Sequence, residues 1–178
     1  MNEILIYILI GIGLSIDAFT MAITYGIVLN KNVEKILLCT IIGLFHFIMP
    51  ICGYLTAGLI NEILIIDTKY ITIFIFLILI LGMIKSSDEK EVLVKINIVD
   101  MILLGLGVSI DSFSVGIAIA LSKSKITLAS SLFSIISATT TYIGIKIGEY
   151  ITKNYRNKAK WVGVTLFILV ILKYIFLE

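Results

Sequence analysis

GIGLSIDAFTMAI, from Gly11 to Ile23, returns as GLGVSIDSFSVGI, from Gly105 to Ile117, with Asp17 falling on Asp111. Seven of the thirteen positions are identical, among them two glycines, a serine and the aspartate. Both copies lie inside long apolar runs, where an aspartate at mid-bilayer depth costs ~2.5 to 3.5 kcal/mol on insertion scales. Paying that cost twice, at matching positions, points to a task other than anchoring.

The rest of the chain sets these copies in a membrane. Its 178 residues are 60% apolar, with a mean hydropathy of +1.13, which belongs to the membrane class rather than the globular one. Six segments have the length needed to cross the hydrocarbon core, at about residues 4–28, 35–60, 69–85, 98–121, 126–151 and 159–177. The connections are short. The longest, SSDEKEVLVKIN from Ser86 to Asn97, cannot hold a soluble catalytic or nucleotide-binding domain, and no Walker-type phosphate loop is present. The expected fold is an all-α membrane protein, one integral membrane domain of six transmembrane helices over residues 1–178. Division near residue 90 gives two three-helix repeats, 1–90 and 91–178. An odd number of spans per repeat inverts the second relative to the first, an architecture shared with secondary transporters.

Charge sets the expected orientation. Lys31, Lys35, Lys85, Lys90, Lys95, Lys146, Lys153, Arg156, Lys158 and Lys160 fall on one side, and only Lys69, Lys123, Lys125 and Lys173 on the other. The positive-inside rule makes the richer side cytoplasmic and both termini extracytoplasmic. A net charge of +2 spread over short loops predicts lipid headgroups as neighbours and no nucleic-acid partner. No basic region precedes the first apolar run, so it reads as a mature span rather than a signal peptide. Cys39 and Cys52 are too far apart along one helix for an internal disulfide and read as small buried hydrophobes. Tyr155 and Trp161 are expected in an interfacial aromatic belt, and Lys146, Glu149 and Lys173 to reach toward headgroups. The run from Tyr70 to Leu81 reads as lipid-facing scaffold.

Helical spacing puts Gly13, Thr20 and Thr24 on the face of Asp17, and Gly107, Ser114 and Ala118 on that of Asp111. Gly13 and Gly107 are expected to admit a neighbouring backbone. The second span carries Cys39, Gly43, His46, Pro50, Gly53 and Ala57 along one face. Pro50 removes the amide that would bond to the His46 carbonyl, so a helix break is expected there. The fifth span aligns with the second, matching Ser137 to His46 and Gly144 to Gly53. Its hydroxyls at Ser134, Ser137, Thr139, Thr140 and Thr141 are possible oxygen ligands, or bond to their own helix.

Two carboxylates, one imidazole and several hydroxyls make a mainly oxygen-donor set. Such a set suits hard or borderline divalent cations, Mn²⁺ in particular. Asp17, Asp111 and His46 are the expected metal ligands, with Thr20, Thr24, Ser114, Ser137 and Thr141 as secondary ligands or ion-path residues. Gly13, Gly107, Pro50, Gly53 and Gly144 are the expected helix-break and packing positions. Two close acids repel unless a cation or a proton separates them, which points to exchange of metal for protons. The ion is then cargo, and no cofactor is expected. Two other classes compete with transport. One is a non-transporting membrane assembly factor in which the acids serve packing. The other is an intramembrane aspartyl protease, whose GxGD pattern is replaced here by GLSID and GVSID.

The twin SIDAF and SIDSF motifs, GLFHFIMPICG in the second span, LGM at Leu81 to Met83 and the compact six-span layout are similar to the MntP-type manganese efflux pump family. That resemblance covers nearly the whole chain. It implies export of Mn²⁺ across the bacterial inner membrane and assigns the key intramembrane acids to Asp17 and Asp111. His46 departs from the family pattern, which commonly has Glu or Gln there. Ile23 to Gly26, ITYG, also resembles a related group of sporulation membrane proteins, for which the resemblance leaves the substrate open.

Overall fold

The structure, a computed structural model, describes residues 3–29, 32–57, 97–121 and 125–155, with Leu77, Thr165, Ile168, Leu169 and Leu172 as single positions. The described residues form four long helices: α1 (Glu3–Val28), α2 (Asn32–Ala57), α3 (Ile98–Leu121) and α4 (Ile126–Tyr155). Each is long and apolar enough to cross a membrane. The expected third and sixth spans, the 86–97 loop apart from Asn97, Trp161, Lys173 and the side chain of Tyr155 lie outside the described residues. So does the six-helix count on which the inverted repeat depends.

Why these segments are helices follows from their solvent. In hydrocarbon every backbone amide must be satisfied within the segment, and a helix does this locally. Ile and Leu cover the outside, with Ile4, Leu9, Ile16, Leu44, Leu55 and Ile135 at least half exposed. Small residues lie where helices meet.

Those meetings decide the topology. Gly11 faces Phe133 and Ile136, while Gly144 faces Phe19, Ala22 and Ile23, so α1 and α4 run parallel. Gly105 faces Ile41 and Phe45, while Gly116 faces Pro50, so α2 and α3 also run parallel. Lys35 meets Glu149 and Gly43 meets Ser134 and Ala138, which makes α2 and α4 antiparallel. In consequence α2 finishes at one end of the bundle and α3 starts at the other. Contact between α1 and α3 is slight.

At four glycines in two helix pairs, α2–α3 and α1–α4, the backbones nearly touch. A Cβ on Gly53 would overlap the Phe113 carbonyl, and one on Gly116 the Pro50 carbonyl. A Cβ on Gly26 would overlap the Ile145 carbonyl, and one on Gly148 the Ile23 carbonyl. A Cβ on Gly144 would be nearly as tight, 2.6 Å from the Phe19 carbonyl oxygen and 2.8 Å from the Ala22 Cβ. Gly107 is buried.

Gly13 does not make its expected close approach: it is exposed, with nothing within 4 Å of a Cβ placed there. The reason is rotation. At about 100° per residue, the buried Leu14, Ala18 and Met21 lie to one side of Asp17, while Gly13 and Thr20 lie about 40° and 60° to the other. Asp17 therefore marks the margin of the buried arc, not its centre.

Two further expectations are corrected. Pro50 does not break α2, which continues to Ala57, and the Pro50 carbonyl packs against Gly116 of α3. Cys52 is exposed and Cys39 only partly buried, since both flank the packed stripe of Leu38, Ile42, Gly43, His46, Pro50 and Gly53.

Gly116→Ala and Gly148→Ala are each expected to destabilise the detergent-solubilised protein by about 1 to 3 kcal/mol, the usual cost of overpacking. Gly13→Ala is expected to leave its thermal unfolding unchanged. Equal melting temperatures for all three variants would contradict the packing described.

A buried polar layer

Two apolar clusters fill the ends of the bundle. Toward the α1–α2 turn lie Met21, Tyr25, Leu38, Ile42, Met101, Leu104, Val108 and Ile145. Toward the opposite end lie Tyr7, Leu14, Ile119, Ala129 and Phe133. The chemistry-bearing side chains are found at the heights between them.

Asp17 is 2% exposed and His46 is fully buried. The Leu14 backbone and the Asp17 carboxylate of α1 both act on the His46 ring of α2, although the two helices themselves barely touch. His46 Nδ1 lies 3.0 Å from the Ile42 carbonyl one turn earlier. A carbonyl only accepts, so the neutral ring carries its proton on Nδ1 and presents its lone pair at Nε2. Nε2 is buried and has no hydrogen-bond partner among the described residues.

Helix α4 supplies the third wall. Its parallel register with α1 sets Ser137 and Thr141 at the height of Leu14 to Ala18. Both are fully buried, and neither hydroxyl is bonded to another of the described residues. Their neighbours behave differently. Thr139 donates to the Ile135 carbonyl at 2.7 Å, and Thr140 to the Ile136 carbonyl at 2.9 Å. Satisfaction by the helix's own backbone is the ordinary fate of such hydroxyls in lipid. On α4 it is confined to the outer and partly buried positions, whereas the inward Ser130, Ser137 and Thr141 do not follow it. These three are spaced seven and four residues apart, one stripe of a helix.

Asp111 is partly buried, with its Oδ1 shielded from solvent. The parallel register of α2 and α3 puts it at the height of His46 and Phe47. Ser114 and Ala118 are exposed, so Ser114 leaves the expected site. Like Gly13, they fall on the outer side of an acid at the margin of its buried arc. Thr20 turns outward too and donates to the Ile16 carbonyl at 2.9 Å. Thr24 is buried.

The sequence reading passed over four buried serines. Ser15 and Ser109, the serines of the twin motifs, donate to the Ile12 and Gly105 carbonyls at 2.8 and 2.6 Å. Ser112 and Ser130 are buried without a hydrogen-bond partner among the described residues. For Ser130 the signal was available, since it stands on the stripe of Ser137 and Thr141.

Among the described residues, no three His, Cys, Asp or Glu side chains converge closely enough to hold a metal ion. The structure brings His46 to Asp17 and sets hydroxyls at their height; it does not close Asp111 onto them. A cation there would draw on one carboxylate, one imidazole nitrogen and neutral oxygens.

At the α1–α2 turn end, Lys146 and Glu149 do more than reach toward headgroups. Glu149 lies 2.6 Å from Lys35 of α2 and 2.9 Å from Lys146, tying α2 to α4. Thr152 reaches the Ile27 carbonyl of α1 at 3.2 Å.

The chain was compared with known families and proteins. Residues 30–175 match the model of the Mntp family, described as "Putative manganese efflux pump". No curated protein and no solved structure matches the chain.

Replacing an unbonded buried hydroxyl by an isosteric methyl removes a desolvation penalty of about 1 kcal/mol or more. Thr141→Val is therefore expected to raise the melting temperature of the metal-free protein, while Thr139→Val leaves it unchanged. A lower melting temperature for Thr141→Val would show that the hydroxyl is bonded in the folded state.

Proposed function

The chain belongs to the Mntp family of manganese efflux pumps, and from that membership and the buried polar layer we propose that it exports Mn²⁺ from the bacterial cytoplasm. The family is one of transporters, not of enzymes, and the four long apolar helices make the chain a multi-pass membrane protein. The observation that carries the proposal is the pair of Asp17 and His46, both buried midway along a lipid-solvated bundle. Ionisable groups at that depth are costly, and they mark ion pathways in membrane proteins.

In this reading Asp17, Asp111 and His46 are the principal ligands of the transported ion, and Ser137 and Thr141 add neutral oxygens. Asp17 supplies charge from α1 and Asp111 from α3. Because α1 and α3 barely touch, the two acids converge on one ion only if these helices approach each other during the cycle. The apolar clusters at either end act as barriers, one of which must part to admit the ion. Thr24, buried about two turns beyond Asp17, stands on the way toward the α1–α2 turn end. Departure of the cation leaves carboxylates in a low-dielectric layer, and a proton then offsets their charge. Export of metal in exchange for protons follows from that alternation.

The full layout proposed is six spans in two inverted halves. Support comes from the direction of the described helices. Helix α2 ends opposite the start of α3, which fits one further crossing between them. Each aspartate helix also packs in parallel on the second long helix of the other half, α1 on α4 and α3 on α2, as exchange by a pseudo-two-fold axis requires. The Lys and Arg bias sets the α1–α2 turn end in the cytoplasm of an inner-membrane protein, with both termini outside.

Expression in an export-deficient bacterium tests the transport claim. Wild type is expected to restore growth in excess manganese and to lower cell-associated manganese, and Asp17→Asn and Asp111→Asn to do neither while inserting normally. A wild type that inserts but changes neither quantity refutes manganese export. An epitope at Met1 is expected to be labelled by a membrane-impermeant reagent on intact spheroplasts; labelling only after lysis would reverse the orientation.

A further inference from the structure

We infer that His46 Nε2 binds the transported cation directly, and that this nitrogen restricts the cargo to first-row transition-metal ions by discriminating against Mg²⁺ and Ca²⁺. The inference rests on the site reading proposed above and adds to it the class of ion selected and the atom responsible.

Four observations carry it. The ring is fully buried, so Nε2 has no access to bulk water on the outer face of the bundle. Its tautomer is set by the main chain, since Nδ1 is held at 3.0 Å from the Ile42 carbonyl. This is the arrangement in which metal-binding histidines are oriented by a second-shell acceptor. Among the described residues the lone-pair nitrogen has no hydrogen-bond partner, although it lies in a layer that also holds the Asp17 carboxylate. A histidine kept for packing alone would be expected to have both nitrogens satisfied, because an unmade hydrogen bond at such depth is expensive.

The chemical consequence is selectivity. The other donors at this height are a carboxylate and hydroxyls, a set that Mg²⁺ and Ca²⁺ accept as readily as Mn²⁺ does. An oxygen-only site would face competition from any alkaline-earth ion present in excess. Imidazole nitrogen changes the ranking, since first-row transition ions accept it and hard alkaline-earth ions bind it poorly. Within the transition series the same nitrogen favours Co²⁺ over Mn²⁺, following the usual order of divalent affinities. A site built this way excludes the alkaline earths and is permissive among transition metals.

The chain has a single histidine, which allows a direct test. Full-length protein carrying a tag without histidine is purified in detergent, labelled with ¹⁵N at histidine alone, loaded with Mn²⁺ and measured by pulsed electron paramagnetic resonance. Coupling of the bound Mn²⁺ to ¹⁵N is expected, and any such coupling must come from His46. Binding of Mn²⁺ without that coupling overturns this inference while leaving the export proposal standing. Failure of the wild-type protein to bind Mn²⁺ at all overturns the site reading, and the inference with it.

A second measurement tests selectivity in His46→Gln, which exchanges nitrogen for an amide oxygen. The ratio of Mg²⁺ to Mn²⁺ dissociation constants is expected to fall by at least ~10-fold, the scale on which metal sites respond to the loss of even an outer-sphere partner. An unchanged ratio in a variant that still binds Mn²⁺ refutes the selectivity claim. Should the variant bind neither ion, Co²⁺ competition on the wild type decides. Displacement of Mn²⁺ by Co²⁺ at lower concentration than by Mg²⁺ supports the claim, and the reverse order defeats it.

Discussion

Glycine-mediated contact between backbones is the constraint on which the bundle depends. Lipid tails are as apolar as leucine, so helices in a bilayer gain little by burying apolar side chains against one another. They associate where small residues allow dense packing. Gly53 and Gly116 bring α2 onto α3, and Gly26, Gly144 and Gly148 bring α4 onto α1. Gly43 then lets α4 approach α2 at Ser134 and Ala138. Only at such separations can short side chains such as serine, threonine and aspartate be enclosed on every side. The polar layer is therefore a product of the glycines that flank it.

That layer is costly to the fold, and the cost is unevenly distributed. Outward-facing hydroxyls such as Thr20, Thr40 and Thr139 return to their own helix carbonyls. Ser15 and Ser109 do the same although buried. Among the described residues, His46 Nε2 and the hydroxyls of Tyr7, Ser112, Ser130, Ser137 and Thr141 are buried without a hydrogen-bond partner, and they are spread over all four helices. Low dielectric makes each of them expensive and also makes each a strong partner for a cation. A packing role accounts for the bonded serines and leaves the unbonded atoms without explanation.

The ends of the bundle differ in kind. Near the α1–α2 turn, the Lys35–Glu149–Lys146 cluster and the Thr152 bond to Ile27 join three helices through directional contacts. At the opposite end, Tyr7, Leu14, Ile119, Ala129 and Phe133 form an apolar cluster. For a transporter that opens to one side at a time, the ionic end has alternative partners in water, whereas the apolar end has only to slide. Lys35 is the better shielded member of its ion pair and loses most if Glu149 moves away.

Much of this protein was legible in its residues. Hydropathy and length located the four described helices within a few residues, because a bilayer demands a minimum span and forbids unsatisfied backbone. The repeated GxGxSIDxF stretches singled out Asp17 and Asp111, and the depth of His46 followed from its place in an unbroken apolar run. Rotation of each helix about its axis was not legible. Spacing alone put Gly13, Thr20 and Ser114 beside the aspartates, yet these turn outward because the acids lie at the edge of the buried arc. The continuity of α2 through Pro50 was not legible either, since the residues show the lost amide and not the packing of the Pro50 carbonyl against Gly116 of α3. Which hydroxyls stay unbonded was equally out of reach. Periodicity says which residues share a face, and that much the sequence determined by itself, together with span, depth and the identity of the acids. Which face turns inward depends on contacts between helices distant in the chain, and only the tertiary structure decided it.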